Sequence, residues 1–172
     1  MGGIGTEIMN LTVYWKSGAF DLAGLRGAAE RLARELERVF GSQKGEVPRG
    51  VVALQGEMGA GKTTLVQSLC NVWKIEDDAV SPTFGLVQCY RRDEHRIYHL
   101  DLYRLRDESE AWDLGLTEYF DADALNFVEW PEQAPGLLPN DSVLVQVQVD
   151  GLQHDGLREL ILSLPASMQL RM

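Results

Sequence analysis

The stretch Val51-Val52-Ala53-Leu54-Gln55-Gly56-Glu57-Met58-Gly59-Ala60-Gly61-Lys62-Thr63-Thr64 decides the fold. The apolar run Val51 to Leu54 has no polar alternation, which predicts a strand buried on both faces in the middle of a sheet. Gly56-x-x-x-x-Gly61-Lys62-Thr63 follows at once, and Thr64-Leu65-Val66-Gln67-Ser68-Leu69 is compatible with a helix. Strand, glycine-rich loop and helix in that order are the parts of a phosphate-binding P-loop. Glycines let the segment Gly56, Glu57, Met58, Gly59, Ala60, Gly61 turn its backbone N–H groups inward around a phosphate chain. A helix opening at Lys62 adds the positive end of its dipole at the same place. Lys62 then reaches the β- and γ-phosphates, while the hydroxyl of Thr63, followed by Thr64, suits a Mg²⁺ ion bridging them. The bland alternative is a glycine-rich turn that happens to contain a lysine. Every motif position is filled and both flanks are right, so a nucleoside triphosphate site is the stronger reading. The motif says nothing about what the bound triphosphate is used for.

A chain of 172 residues is long enough for one domain with a real core, and residues 1–172 are expected to form a single P-loop domain. Residues 1–9 are glycine-rich and expected to be flexible. With 45% hydrophobic and 24% charged residues, the composition is that of a soluble globular protein. The formal net charge of −10 provides no positive field to draw in a polyanion, so direct, tight nucleic-acid binding is disfavoured. Apolar runs are short and no basic segment precedes a secretory apolar core, which predicts no membrane association and a cytoplasmic location. Cys70 and Cys89 read as two reduced thiols, and no Cys/His cluster has zinc spacing.

The flanking elements follow from periodicity. Leu11, Val13 and Trp15 alternate as one face of a short strand over Asn10 to Trp15. Leu22, Leu25, Ala29, Leu32, Leu36 and Val39 step by threes and fours as a packing helix, with Asp21 as its cap and Gly41 at its end. Two β-patterned runs, Leu86 to Tyr90 and Arg96 to Leu100, are joined by Arg91 to His95 and predict an antiparallel hairpin. Asp107 to Phe120 reads as short helical turns, with Asp107 or Ser109 as cap, and Asn126 to Glu129 as a short buried strand. Val143, Val145, Val147 and Val149 alternate strictly, and with Leu160, Leu162 and Leu164 they form a second hairpin across Asp150 to Gly156. The expected fold is α/β of the P-loop NTPase type: three layers, with a central, largely parallel sheet extended by antiparallel strands.

Moving a γ-phosphoryl group needs a carboxylate on the magnesium side and a group that orients the attacking oxygen. Asp101 and Glu129 each end an apolar run, and both are candidates for these roles. His99 has a functional reading and a structural one, the latter commoner for a single half-buried histidine. Trp130 either covers the nucleotide or fills core, and Arg104 either contacts phosphate or pairs with a nearby carboxylate. Ser81 and Thr83 carry hydroxyls where a nucleotide-sensing loop belongs.

Gly56 to Thr64, Ser81-Pro82-Thr83-Phe84, His99 to Leu105, Leu114 to Phe120 and Glu129-Trp130-Pro131-Glu132 together resemble the TsaE (YjeE) family. These are the small bacterial ATPases of the pathway that installs threonylcarbamoyladenosine in transfer RNA. The resemblance runs from about Leu22 to Leu164. It implies that ATP and Mg²⁺ are the cofactors, that Lys62 binds phosphate and that Thr63 coordinates Mg²⁺. It also implies that Glu129 is the acidic group on the magnesium or water side, that Asp101 and Trp130 are needed for activity, and that Ser81 to Phe84 is a switch-like loop. Such proteins act on a TsaB–TsaD heterodimer, which handles the transfer RNA. From the residues alone, a small-molecule P-loop kinase with Arg91, Arg92 and Arg96 as its lid is the rival reading, and a nucleotide-dependent binding module the third.

Overall fold

The computed structural model describes residues 10–77, 85–150 and 156–169. Strand β2 (Gly50–Gln55) is buried from Val51 to Leu54 and lies between β6 (Leu125–Glu129) and β7 (Val143–Asp150), parallel to both. Strand β5 (His95–Asp101) adds to β6, again parallel. The apolar run in β2 is thus explained by position, since a strand in mid-sheet has two faces to cover.

Antiparallel strands extend this parallel core on both sides. On one side β8 (Leu157–Pro165) pairs with β7, and β1 (Leu11–Lys16) pairs with β8. On the other, β4 (Val87–Arg92) pairs with β5, and β3 (Glu76–Asp77) with β4. The eight-stranded order is β1-β8-β7-β2-β6-β5-β4-β3.

Helices α1 (Leu25–Phe40) and α2 (Lys62–Val72) cover one face, where Leu32, Leu36, Leu65 and Leu69 pack against Val52, Leu54, Phe127 and Leu162. The opposite face is covered by α3 (Glu108–Asp113) and short 3₁₀ turns, with Leu116, Ala111 and Leu137 over Val51, Leu100 and Val128. A final turn, α4 (Ala166–Gln169), follows β8. Among the described residues no helix is long and apolar enough to cross a membrane.

Five details depart from the periodicity or refine it. Asp21 caps a separate 3₁₀ turn, Leu22–Gly24, by accepting from the Gly24 amide at 2.9 Å, and Leu22 is 58% exposed rather than part of the packing stripe. Gly41 does end α1, in the left-handed conformation that releases the last turn. In β1 a register shift between Val13 and Trp15 breaks the alternation, so that Trp15 packs on the core and Val13 is 53% exposed. The first hairpin turns on Asp93 and Glu94 alone, with Asp93 left-handed at φ 54°, because Arg91, Arg92 and His95 all belong to the ladder. Asp107, not Ser109, caps α3, its Oδ1 accepting from the Glu110 amide at 3.0 Å.

A buried carboxylate ties the helical layer together. Glu37 on α1 accepts at Oε1 from the Trp73 indole at 2.9 Å and from the Gly45 amide at 3.0 Å, while only 5% exposed. Glu37→Ala strands the buried indole N–H and is expected to cost about 2–3 kcal/mol, whereas Glu37→Gln, which keeps an acceptor, costs less. Urea denaturation reads this as a lower midpoint at unchanged slope.

Candidate nucleotide site

Because β2, β5 and β6 are parallel, their C-terminal ends come out on one edge of the sheet. Glu129 pairs in register with Leu54 on one side and with Asp101 on the other. The loop Gly56–Gly61 leaves β2 at that edge and delivers Lys62 as the first residue of α2. Glycines are needed for this path, Gly59 among them at φ 79°. A Cβ at Gly56 would lie 2.7 Å from the Val147 carbonyl of β7, and Gly61 takes φ 101° at the helix start.

Lys62 is 5% exposed and folds over its own loop, donating from Nζ to the carbonyls of Gly56 at 2.6 Å and Glu57 at 3.0 Å. The same ammonium lies 4.2 Å from the centre of the Trp130 ring, a cation–π contact. Burial pushes its pKa down, against the pull of Glu129, Glu132 and Asp101, and it settles below the usual lysine range.

Glu129 is 4% exposed, and its Oε1 accepts from Thr63 Oγ1 at 2.7 Å and from His99 Nε2 at 2.7 Å. An ionised carboxylate only accepts, so the bond assigns the proton to Nε2 of His99. Burial acts to raise the Glu129 carboxyl, but the hydrogen bonds from His99 and Thr63, with the charges of His99 and Lys62, outweigh it and hold the group below the ordinary carboxylate range.

Asp101 is exposed beside Glu129, its Oδ1 accepting from the Tyr103 amide at 3.1 Å. Trp130 adopts the left-handed conformation, φ 57° and ψ 50°, before Pro131 opens a 3₁₀ turn. For a tryptophan this backbone costs on the order of 1 kcal/mol or more, and it swings the ring across Lys62. Tyr103 supports the ring, with centroids 4.9 Å apart and planes tilted by 48°.

One recess therefore gathers Met58, Gly59, Lys62, Thr63 and Thr64 with Asp101, Glu129 and Trp130. Gly56 and Glu57 line an adjoining recess past Trp130, with Gln55 and Gln146. The family model described as Threonylcarbamoyl adenosine biosynthesis protein TsaE matches residues 25–158. The chain belongs to the TsaE family.

Relatives bear this out. The tRNA threonylcarbamoyladenosine biosynthesis protein TsaE of Haemophilus influenzae is 39% identical over 97 residues, 56% of this chain and 61% of that protein. The protein of the same name from Rickettsia bellii is 37% identical over 109 residues, 63% of this chain and 74% of that one. The crystal structure of Bacillus subtilis YdiB superposes with a TM-score of 0.65 over 91% of this chain and 88% of its own, at 23% identity, a likeness of fold. The match to the Haemophilus protein spans about three-fifths of that protein's length.

Of the residues singled out in the sequence, Lys62, Thr63, Thr64, Asp101, Glu129 and Trp130 line one recess, and others do not. Ser81 and Thr83, with the rest of the Ser81 to Phe84 segment, lie outside the described residues, as do residues 1–9. Ala60 is buried under the loop, 2% exposed, and offers its carbonyl to Arg158 Nε at 3.3 Å. Arg104 is exposed and makes no hydrogen bond or ion pair among the described residues.

Arg158 is a residue that sequence reasoning passed over. It is 6% exposed beneath the loop and also donates from Nη1 to the Gly156 carbonyl at 2.9 Å. The signal was present: Arg158 is in phase with Leu160, Leu162 and Leu164, so a cation occupies a core-facing position of β8.

Proposed function

We propose that this chain is a Mg²⁺-dependent ATPase, converting ATP and water to ADP and phosphate, and that it serves threonylcarbamoyladenosine formation in transfer RNA by acting on a TsaB–TsaD pair. The observation that carries the reading is the 2.7 Å bond from the Thr63 hydroxyl to Glu129, beside a phosphate loop whose lysine is already in place. A loop hydroxyl joined to a strand-end carboxylate is the donor set with which P-loop NTPases hold magnesium. Mg²⁺ is usually bound through one or two carboxylates and substrate phosphates rather than by a full protein cage, so Thr63 and Glu129 fit it. Bound there, the ion would neutralise charge developing on the phosphates.

The chain's own residues divide the remaining work. Lys62 and the loop amides hold the phosphates, and the Trp130 ring shields the ammonium from water on one side. Glu129, buried and held by two donors, serves the magnesium side. Asp101, exposed at the mouth of the same recess, is free to orient the attacking water. Transfer RNA is left to the partners, in keeping with a net charge of −10, and a cytoplasmic setting goes with this reading.

The kinase alternative loses its lid. Arg91, Arg92 and Arg96 flank the Asp93–Glu94 turn, at the end of β5 opposite Asp101, and Arg92 donates to the Trp73 carbonyl past the far end of α2 at 2.6 Å. Single-turnover assays with Mg²⁺ and ATP labelled at the γ-phosphate test the proposal. Slow ADP formation by the chain alone and faster formation with TsaB–TsaD is the expected result. No ADP in either condition leaves a binding module, and label transferred to a metabolite leaves a kinase.

A further inference from the structure

The imidazole of His99 is 6% exposed and bonded to the most buried carboxylate of the site. We propose that His99 is a positioning residue, which anchors one oxygen of Glu129 so that the carboxylate keeps the orientation needed on the magnesium side. The inference rests on the ATPase reading and deepens it.

Glutamate has three rotatable bonds, and a carboxylate held only by Thr63 would follow that hydroxyl wherever a ligand drew it. Among the described residues, Thr63 and His99 are the two hydrogen-bond donors to the Glu129 carboxylate, and both meet the same atom, Oε1, at 2.7 Å. Oε1 is thereby fixed from two sides, and Oε2 is left for other partners. The two donors differ in kind. Thr63 sits in the first turn of α2 at the phosphate loop, where ligand binding acts, whereas His99 belongs to the sheet.

The sheet makes His99 a rigid anchor. Its neighbours along β5, Ile97 and Leu100, are fully buried, and its backbone is paired on both sides, to Phe127 of β6 and Gln88 of β4. The Tyr90 ring stacks beside it, centroids 6.4 Å apart and planes within 23°. Lys62 does not share the task, since its ammonium is engaged by the Gly56 and Glu57 carbonyls and by Trp130. Strand alternation also places His99 in phase with Asp101, so β5 supplies both the deep anchor for one carboxylate and the other carboxylate itself. Partners that orient metal-site ligands in this way typically change metal affinity or activity about 10- to 100-fold when removed.

The test uses the full chain with His99→Leu, which removes the donor, and His99→Gln, whose amide nitrogen extends to about the position of Nε2. Two quantities are read: the gain in ATP affinity when Mg²⁺ replaces EDTA, by calorimetry, and single-turnover hydrolysis with TsaB–TsaD. His99→Leu is expected to keep metal-free ATP affinity within about twofold while losing roughly 10- to 100-fold of the magnesium-dependent gain or of the turnover rate. His99→Gln is expected to restore most of the loss.

Should the leucine variant not fold, His99→Asn replaces it, because the shorter amide reaches only the Nδ1 position and leaves Glu129 without its donor. Wild-type magnesium response and turnover in the donor-less variant overturn the proposal. Equal loss of metal-free affinity, or no recovery with glutamine, overturns it too, since a structural role then suffices. If the wild-type chain hydrolyses nothing, the ATPase reading fails on that result, while the magnesium-dependent affinity gain still decides the role of His99.

Discussion

Lys62→Ala is expected to weaken ATP binding by roughly a hundredfold or more in calorimetry while leaving the chain folded. A hydrogen bond from a charged donor contributes about 1.5–3 kcal/mol, and ordering a lysine side chain costs up to about 2 kcal/mol of rotamer entropy. Here the ordering is already done, because Nζ is held by the Gly56 and Glu57 carbonyls at 2.6 and 3.0 Å before any phosphate arrives. The two contributions together amount to about 3–4 kcal/mol, and each 1.4 kcal/mol is a factor of ten. The effect on folding is expected to be small by comparison. Removing a buried ammonium relieves a desolvation cost, and this offsets the two carbonyls left without their donor. Lys62→Arg is expected to resemble Lys62→Ala, because a planar guanidinium does not fit the corner between those carbonyls and the Trp130 ring. Unchanged ATP affinity in Lys62→Ala would remove the phosphate cradle as the basis of the functional reading.

The parts of this site that could be read in advance are those set by local chain geometry. Gly56 to Thr63 folds as a unit, so its spacing alone predicts which atoms face a phosphate. Asp101 and Glu129 were legible for a related reason: parallel strands that end together bring their terminal residues to one edge, whatever the sequence distance between them. The bond between His99 and Glu129 was not legible, because it joins side chains 30 residues apart and depends on the register and twist of two strands. The Trp130 backbone left only a hint in the following Pro131, which restricts its predecessor without selecting the left-handed region. Polar composition misled at Arg91 to His95, where an edge-side hairpin carries charged residues inside its ladder and only Asp93 and Glu94 turn. Alternation likewise failed at Val13, since a bulge flips the faces and leaves no mark in the pattern of residue types.

Glu129→Gln is the second large effect expected, and it should separate binding from turnover. The amide keeps the volume and can still accept from Thr63 and His99, so the loop and Lys62 stay in place and metal-free ATP affinity changes little. The charge is lost, however, and with it the magnesium-side carboxylate, so single-turnover hydrolysis with partners should fall roughly a hundredfold or more. Stability gives an independent reading with a definite sign. The native Glu129 carboxyl titrates below its ordinary value near 4.5, so its ionised form contributes stability above that value, and this contribution fades as pH falls through the lowered native pKa. The stability difference between wild type and Glu129→Gln, from urea midpoints, should therefore be larger at neutral pH than in strongly acidic solution, where the wild-type carboxyl is also neutral. A difference that grows on acidification would mean that burial, not hydrogen bonding, governs this carboxyl. Normal turnover in Glu129→Gln together with loss in Asp101→Asn would transfer the magnesium side to Asp101, and the bond to Thr63 would then be a structural contact only.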